Sequence, residues 1–139
     1  KMTTEITTYE NQPNAMIQTI NTVQGTPEGR KLVANAVNNA DSLAQYEGVV
    51  LKISNVLTRP GMRGDLDGNN QTPCQCTYLI DTDGKAYFSQ SDGVARSINT
   101  IMDIYRDFPK DTENGEYAEM VLRSQTLPNG RTIKSIELV

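Results

Sequence analysis

Histidine is absent from the 139-residue chain, and cysteine is nearly so. Without an imidazole, serine and cysteine hydrolase triads of the usual kind are excluded. The two cysteines, Cys74 and Cys76, stand two positions apart, where a bridge within one strand is sterically awkward, so we expect reduced thiols. A structural zinc site needs more ligands than these two thiols provide. The chain also has no glycine-rich loop followed by Lys-Ser/Thr that could bind a nucleotide phosphate. We therefore expect no enzyme activity, no metal and no cofactor.

Tryptophan and long apolar runs are also missing, although 37% of the residues are hydrophobic. A chain of this length and composition predicts a single domain with a modest core and no membrane span. The polar start does not resemble a signal peptide. These features, with reduced cysteines, are typical of a cytosolic protein.

Positive charge is in the minority, since 13 Lys and Arg face 17 Asp and Glu and the net charge is −4. This balance disfavours a nucleic-acid binder, which is usually basic. The distribution of charge along the chain makes the overall balance less decisive. The acids in the middle of the chain cluster in Asp-Gly turns, while the basic residues there lie on or beside strand-like segments. A local basic groove on an acidic protein fits this pattern. Its members would be Lys52, Arg59, Arg63 and Lys85.

Five segments carry the composition of β-strands. Residues 48–57 are rich in β-branched residues and alternate in polarity, which predicts strand 1. The next two pairs of segments flank Asp-Gly and Asn-Gly turns, which favour hairpins. These are strands 2 and 3, Cys74–Ile80 and Lys85–Ser89, and strands 4 and 5, Tyr117–Gln125 and Arg131–Val139.

Two further segments connect these strands. The stretch Arg59–Asn70 holds three glycines and a proline, which predicts a long, mobile loop after strand 1. Apolar residues at helical spacing predict a helix from Asp92 to about Phe108–Pro109, capped by Ser91 or Asp92. The resulting order over residues 48–139, three strands, a helix and two strands, is typical of the OB fold. That fold is a mainly β, five-stranded, partly open barrel that often binds oligonucleotides.

The chain ahead of the barrel has a different composition. Residues 1–12 are polar and predict a flexible arm. Residues 13–47 predict a two-helix extension, with one helix from Pro13 to Val23 and a second, capped by Thr26, from about Pro27 to Ala44. The small apolar face of the second helix suits packing on the barrel or on a neighbouring subunit, and the sequence leaves both open.

Aromatic side chains are few, but several fall on the surface that OB proteins use. Tyr78, Tyr87 and Phe88 lie on strands 2 and 3, and Tyr46 immediately precedes strand 1. Tyr87 and Phe88 must point to opposite faces, so one belongs to the core and the other is exposed. An exposed ring can stack on a base, at about 1–3 kcal/mol per base.

A run that enters the predicted helix carries a resemblance. Tyr87-Phe88-Ser89-Gln90-Ser91-Asp92-Gly93-Val94-Ala95-Arg96-Ser97 resembles the single-stranded-DNA-binding proteins of small tailed phages of Gram-positive bacteria. The similarity extends more loosely from Tyr46-Glu47-Gly48-Val49 through Thr77-Tyr78-Leu79-Ile80 to Tyr105. It implies an OB-type protein that coats displaced single strands during phage DNA replication in the host cytoplasm. Phage replication proteins are candidate partners, and the resemblance implies stacking tyrosines at Tyr78 and Tyr87, with Phe88 and Tyr46 as further candidates.

We therefore predict a non-enzymatic protein that binds single-stranded DNA with little sequence preference. The expected DNA-binding residues are the aromatics Tyr78, Tyr87, Phe88 and Tyr46 and the basic residues Lys52, Arg59, Arg63 and Lys85. Two other functions stay open. One is a phage OB-fold protein that binds and inhibits a host protein, and the other is a structural virion component. The oligomeric state is also open between a monomer and a homo-oligomer formed through the N-terminal helices.

Overall fold

The computed structural model describes residues 17–23, 25–64 and 70–139. These residues form a mainly β structure, with seven strands in one curled half-barrel sheet and two α-helices. The strands are β1 (Ile20–Asn21), β2 (Asp41–Ser42), β3 (Val50–Arg63), β4 (Thr72–Asp81), β5 (Ala86–Ser89), β6 (Ala118–Thr126) and β7 (Thr132–Leu138). The helices are α1 (Pro27–Asn39) and α2 (Asp92–Ile104), and a short 3-10 helix spans Leu43–Tyr46. The predicted arm at 1–12, residues 13–16 of the first predicted helix and residues 65–69 of the predicted loop lie outside the described residues.

One long strand organises the sheet, whose order is β2-β5-β4-β3-β6-β7 with β1 also paired to β3. The start of β3, Val50–Ile53, pairs with β6, whereas the remainder pairs with β4. The register shifts between Ile53 and Asn55, where β3 passes from one partner to the other. Because a bulge bends its strand and increases the local twist, this shift helps to curl the sheet. The five predicted strands correspond to β3–β7, and their pairing is consistent with an OB-like barrel.

The turn and cap chemistry follows the sequence. Gly84 and Gly130 both adopt positive φ, at 84° and 86°, in the Asp-Gly and Asn-Gly turns of the β4–β5 and β6–β7 hairpins. Thr26 caps α1 by accepting from the backbone N–H of Gly29, and Ser91 caps α2 by accepting from that of Val94. The predicted hairpins and helix caps are therefore confirmed.

Several predicted boundaries are wrong. The first predicted helix is absent over residues 17–23, where β1 pairs with β3 because the Thr58 hydroxyl accepts from the Ile20 N–H and donates to the Gln18 carbonyl. Strand 1 continues to Arg63, because residues 59–63 find backbone partners along β4. The second predicted helix ends at Asn39 and not at Ala44, since Asp41–Ser42 pairs in parallel with β5. Similarly, α2 ends at Ile104.

The inner face of the sheet packs on α2. Val94, Ile98 and Ile101 of this helix join one buried cluster with strand residues such as Val56 and Leu79. Close approach of α2 to β7 depends on Gly93, where a Cβ would overlap the Lys134 carbonyl. A buried amide pair, in which Gln75 and Asn99 each donate to the other at 2.9 and 3.1 Å, adds a polar link between β4 and α2. Among the described residues, α2 thus covers the inner face of the sheet.

The outer face of β4 and β5 is only partly covered. Ala36 of α1 packs on Ile80 and Ala86, with Leu32 and Ala40 beside it. This contact shows that α1 packs on the sheet of its own chain, in line with one of the two arrangements that the sequence left open. Beyond the residues that contact Ala36, the outer face of these two strands is not part of this apolar cluster. The candidate site lies there.

Candidate nucleic-acid interface

A row of cross-strand neighbours runs over the outer face. Asn21 of β1 is paired with Leu57 of β3, Leu57 with Tyr78 of β4, and Tyr78 with Phe88 of β5. Directly paired residues of antiparallel strands point to the same face, so these four side chains share one side of the sheet. Asn21 and Phe88, at the two ends of the row, are three strand spacings apart, a distance of about 14 Å.

Two aromatic rings form the open end of this row. The ring centroids of Tyr78 and Phe88 lie 5.0 Å apart and their planes are inclined by 38°. Both residues are half-buried, and each therefore keeps part of its surface in solvent. A base can stack on such a surface, because every base has a π-face that an aromatic side chain can cover.

Arg59 supplies positive charge beside these rings. It is exposed on β3 and is paired across the ladder with Cys76, two residues before Tyr78 on the same face of β4. Arg59 is therefore a diagonal neighbour of Tyr78 on this face. Burial raises the pKa of the Tyr78 hydroxyl, and the Arg59 guanidinium opposes this shift. Within the described residues, no carboxylate forms an ion pair with Arg59. We call Tyr78, Phe88 and Arg59 the aromatic patch.

Arg63 lies at the end of β3, and its charge is already partly compensated. Its guanidinium donates to the Gln90 carbonyl at 2.8 Å and forms an ion pair with Asp92 at 3.2 Å. The Arg63 side chain nevertheless keeps 40% of its surface exposed. An exposed pair of this kind is weak, so a phosphate can compete with Asp92 for Arg63.

Tyr87 points away from the aromatic patch into the core. Only 4% of its surface is exposed, its hydroxyl donates to the Asp81 carboxylate at 2.9 Å, and its ring meets that of Tyr46 edge-on at 4.9 Å. Burial, followed by the hydrogen bond to Asp81, raises the pKa of Tyr87 to about 12. The expectation that one of Tyr87 and Phe88 is buried and the other faces outward is confirmed. The ring of Tyr87 is not accessible to a base, which argues against the predicted stacking role.

Lys85 and Tyr46 belong to a polar network at the edge where β2 joins β5. The Lys85 ammonium donates to the Tyr46 hydroxyl at 2.7 Å and pairs with Asp41 at 3.2 Å, while Tyr46 donates to Asp41. The hydrogen bonds to Tyr46 and Asp41 raise the pKa of Lys85, and those from Tyr46 and Lys85 lower the pKa of Asp41. These contacts tie β2 and the 3-10 helix to β5. Lys85 and Tyr46 therefore stabilise the fold at this edge, and they lie outside the aromatic patch.

Lys52 also lies outside the aromatic patch. It is exposed on the first part of β3, paired with Glu119 of β6, and its ammonium lies 5.4 Å from the centre of the Tyr117 ring. Of the eight residues predicted to bind DNA, the structure thus brings together Tyr78, Phe88 and Arg59, with Arg63 on the same strand as Arg59.

Sequence reasoning missed a second cation near Arg59. Arg30 in the first turn of α1 lines the same surface pocket as Arg59, because α1 packs across the outer face. The Thr26-Pro27 start of the helix was visible in the sequence, but no local signal placed α1 beside β3.

Negative charge is concentrated elsewhere on the described surface. Six exposed carboxylates fall between the end of α2 and the first half of β6, and none of them lines the pocket beside Arg59. They are Asp103, Asp107, Asp111, Glu113, Glu116 and Glu119. The net charge of −4 therefore does not describe the aromatic patch.

The remaining chemistry is sparse in the described ranges. Cys74 and Cys76 are free and buried. Residues 17–23, 25–64 and 70–139 contain no group of three Cys, Asp or Glu side chains arranged to hold a metal ion. Neither described helix has the length and apolar character needed to cross a membrane.

The chain is similar to a known protein family. A family model described as phage single-stranded DNA-binding protein matches residues 10–123, which include β1 to β5, α1, α2 and the whole aromatic patch. No curated protein and no solved structure matches the chain. Because the matched range covers well over half of the 139 residues, the chain belongs to the phage single-stranded DNA-binding protein family.

Proposed function

We propose that this protein coats displaced single strands during phage DNA replication in the host cytoplasm, with little sequence preference and without chemistry of its own. The observation that carries the proposal is the aromatic patch, in which two neighbouring rings and an arginine without an ion-pair partner among the described residues share the outer face of β3, β4 and β5. Family membership supports single-stranded DNA as the ligand. Phage replication proteins are the expected partners at the site of action.

The patch has the two components that non-specific strand binding requires. Tyr78 and Phe88 offer ring faces for successive bases, at about 1–3 kcal/mol for each base stacked. Arg59 neutralises a phosphate, and Arg63 contributes a second contact after releasing Asp92. Rings and guanidinium groups bind features that all nucleotides share, which is why the proposal includes little sequence preference.

The fold and the charge distribution support the same surface. We assign the β3–β7 arrangement as an OB-type barrel, because β3 pairs with both β4 and β6 and α2 stands between β5 and β6. Proteins with this fold bind oligonucleotides on strands 2 and 3, here β4 and β5, where Tyr78 and Phe88 lie. The carboxylates between residues 103 and 119 would repel a phosphate backbone, and this repulsion favours a path along the patch.

The test is fluorescence anisotropy of labelled oligo-dT titrated with the protein at low and moderate salt. Duplex DNA of equal length is the control, and oligo-dA and a mixed sequence measure preference. We expect tighter binding to the single strand, weakening with salt because counterions are released, and similar affinities for the three sequences. Absence of binding at micromolar protein and low salt would refute the proposal, as would equal affinity for duplex DNA.

A further inference from the structure

A second feature of the outer face adjoins the aromatic patch and, apart from Arg59, has no part in the function proposed so far. A surface pocket of about 330 Å³ lies between α1, the segment around β1, and β3. We call it the α1 pocket. Its apolar lining comes from Val23, Val33 and Val37, and its positive charge comes from Arg30 and Arg59. None of its described lining residues is acidic.

The α1 pocket continues the row of paired residues that contains the aromatic patch. Asn21, which lines the pocket, is separated from Tyr78 only by the buried Leu57. Arg59 belongs to both sites, since it lines the pocket and is a diagonal neighbour of Tyr78 across the β3–β4 ladder on the same face. A strand that stacks on Phe88 and Tyr78 and continues across β3 therefore arrives at the α1 pocket after about 14 Å, three strand spacings.

The chemistry of the pocket matches a nucleotide. Apolar side chains can cover the faces of a base, while the amides of Asn21 and Asn38, both in the lining, can bond to its edge. Arg30 donates to the Gly25 carbonyl at 3.3 Å, and its remaining N–H groups can contact a phosphate. The volume lies at the lower end of the range for small-molecule sites, which is the size of a small ligand and not of a folded partner.

We propose that the α1 pocket binds one nucleotide of the single strand, with its base against Val33 and Val37 and its flanking phosphates on Arg30 and Arg59. This inference rests on the proposed function. It adds α1 to the DNA-binding surface, and it identifies Arg30 as a DNA-binding residue.

The first test compares substitutions on α1 by oligo-dT anisotropy. Arg30→Ala removes the pocket cation, while Lys31→Ala removes the same charge from the next position, which is exposed and outside the pocket lining. Ala34→Phe fills the pocket from an exposed position. We expect Arg30→Ala and Ala34→Phe to weaken binding by about 5-fold or more, in line with the loss of one stacked or ion-paired nucleotide, and Lys31→Ala to have a much smaller effect. Equal effects of Arg30→Ala and Lys31→Ala, or unchanged binding by Ala34→Phe, would overturn the proposal.

The second test locates the strand directly. In ¹H–¹⁵N NMR spectra of the wild-type protein, the amides of Gly25 and Gly29 report on the α1 pocket, and those of Gly115 and Gly130, which are not among its lining residues, serve as controls. Oligo-dT is expected to shift the first pair and leave the second pair in place. If the strand binds and a Tyr78→Ala variant weakens it, but Gly25 and Gly29 do not shift, the pocket is not part of the path and the proposed function stands. If the wild-type protein binds no single strand, both proposals fail.

Discussion

Removal of the Tyr78 ring is the perturbation that most directly affects the aromatic patch. Tyr78→Ala abolishes one stacking surface, a loss of about 1–3 kcal/mol of binding free energy. This corresponds to a Kd for oligo-dT that rises by about 5- to 150-fold. Phe88 loses its ring partner at 5.0 Å in the same variant and becomes less ordered, so we expect a result in the upper half of that range. The ring pair itself is worth about 0.5–1.5 kcal/mol, and the fold should lose at least that stability.

Two control variants separate stacking from general damage. Tyr78→Phe keeps the ring and removes only the hydroxyl, so its affinity should stay close to that of the wild-type protein. Tyr117→Ala removes another half-buried tyrosine beside a cation, Lys52, away from the patch, and it should leave the affinity unchanged.

The assay is anisotropy of labelled oligo-dT, with urea unfolding to show that each variant is folded at the assay temperature. Tyrosine emission gives a second signal, since the chain has six tyrosines and no tryptophan. Stacking should quench the emission in the wild-type protein, and the quench should shrink in Tyr78→Ala. Equal affinities of folded Tyr78→Ala and Tyr117→Ala would show that the reasoning about the patch is incorrect.

Three further outcomes are expected. Arg59→Ala should reduce the slope of log Kd against log salt by about 0.7, which is the value for one phosphate contact on a single strand. Arg106→Ala removes an exposed cation that is paired with Asp103, and it should leave the slope unchanged. Equal slopes for the two variants would remove Arg59 from the site. Gly61→Ala should destabilise the fold by about 1–3 kcal/mol in urea unfolding, because its Cβ would overlap the Cys76 sulfur. Adding Cys76→Ala in a double variant should restore stability. The absence of such coupling would refute this contact. The pKa of Tyr87 rises from 10.0 to about 12 on folding, so the folded state retains a proton that the unfolded state releases, and stability should fall as pH rises from 10 towards 12. Tyr87→Phe should flatten that fall in urea unfolding on both sides of pH 10, and an equally steep fall in the variant would contradict the assignment.

The parts of the fold that the sequence predicted well are those with local causes. The Asp-Gly and Asn-Gly turns and the serine and threonine caps act within four residues. Alternation of polarity identified the centre of β3, and the two turns identified the segments of β4 to β7 on either side of them. The end of β3 was missed because Pro60-Gly61 has the composition of a loop. In the structure Pro60 is paired with Gln75 of β4, and the described residues provide no strand on the other side of Pro60. A proline is tolerated at such an edge because its missing N–H has no partner to lose.

The candidate site depended more on contacts between distant segments. Alternation required Tyr87 and Phe88 to face opposite ways, but only the pairing of Tyr78 with Phe88 and of Leu79 with Tyr87 shows which ring is outside. Lys85 was predicted to contact phosphate, and it binds Asp41 because β2 adds to β5 in parallel. Neither local spacing nor composition encodes that contact. The same holds for Arg30, whose position beside Arg59 follows from the packing of α1 on Ile80 and Ala86.

On the proposed path, single-stranded DNA lies on the outer face of β3, β4 and β5. Photocross-linking with oligo-dT that carries 5-iododeoxyuridine, followed by mass spectrometry of the peptides, tests it most directly. We expect cross-links at Tyr78 and Phe88, and their yield should fall when oligo-dT competes and at moderate salt. Cross-links confined to β6, β7 or the acidic segment between residues 103 and 119, in a protein that binds the strand, would contradict it.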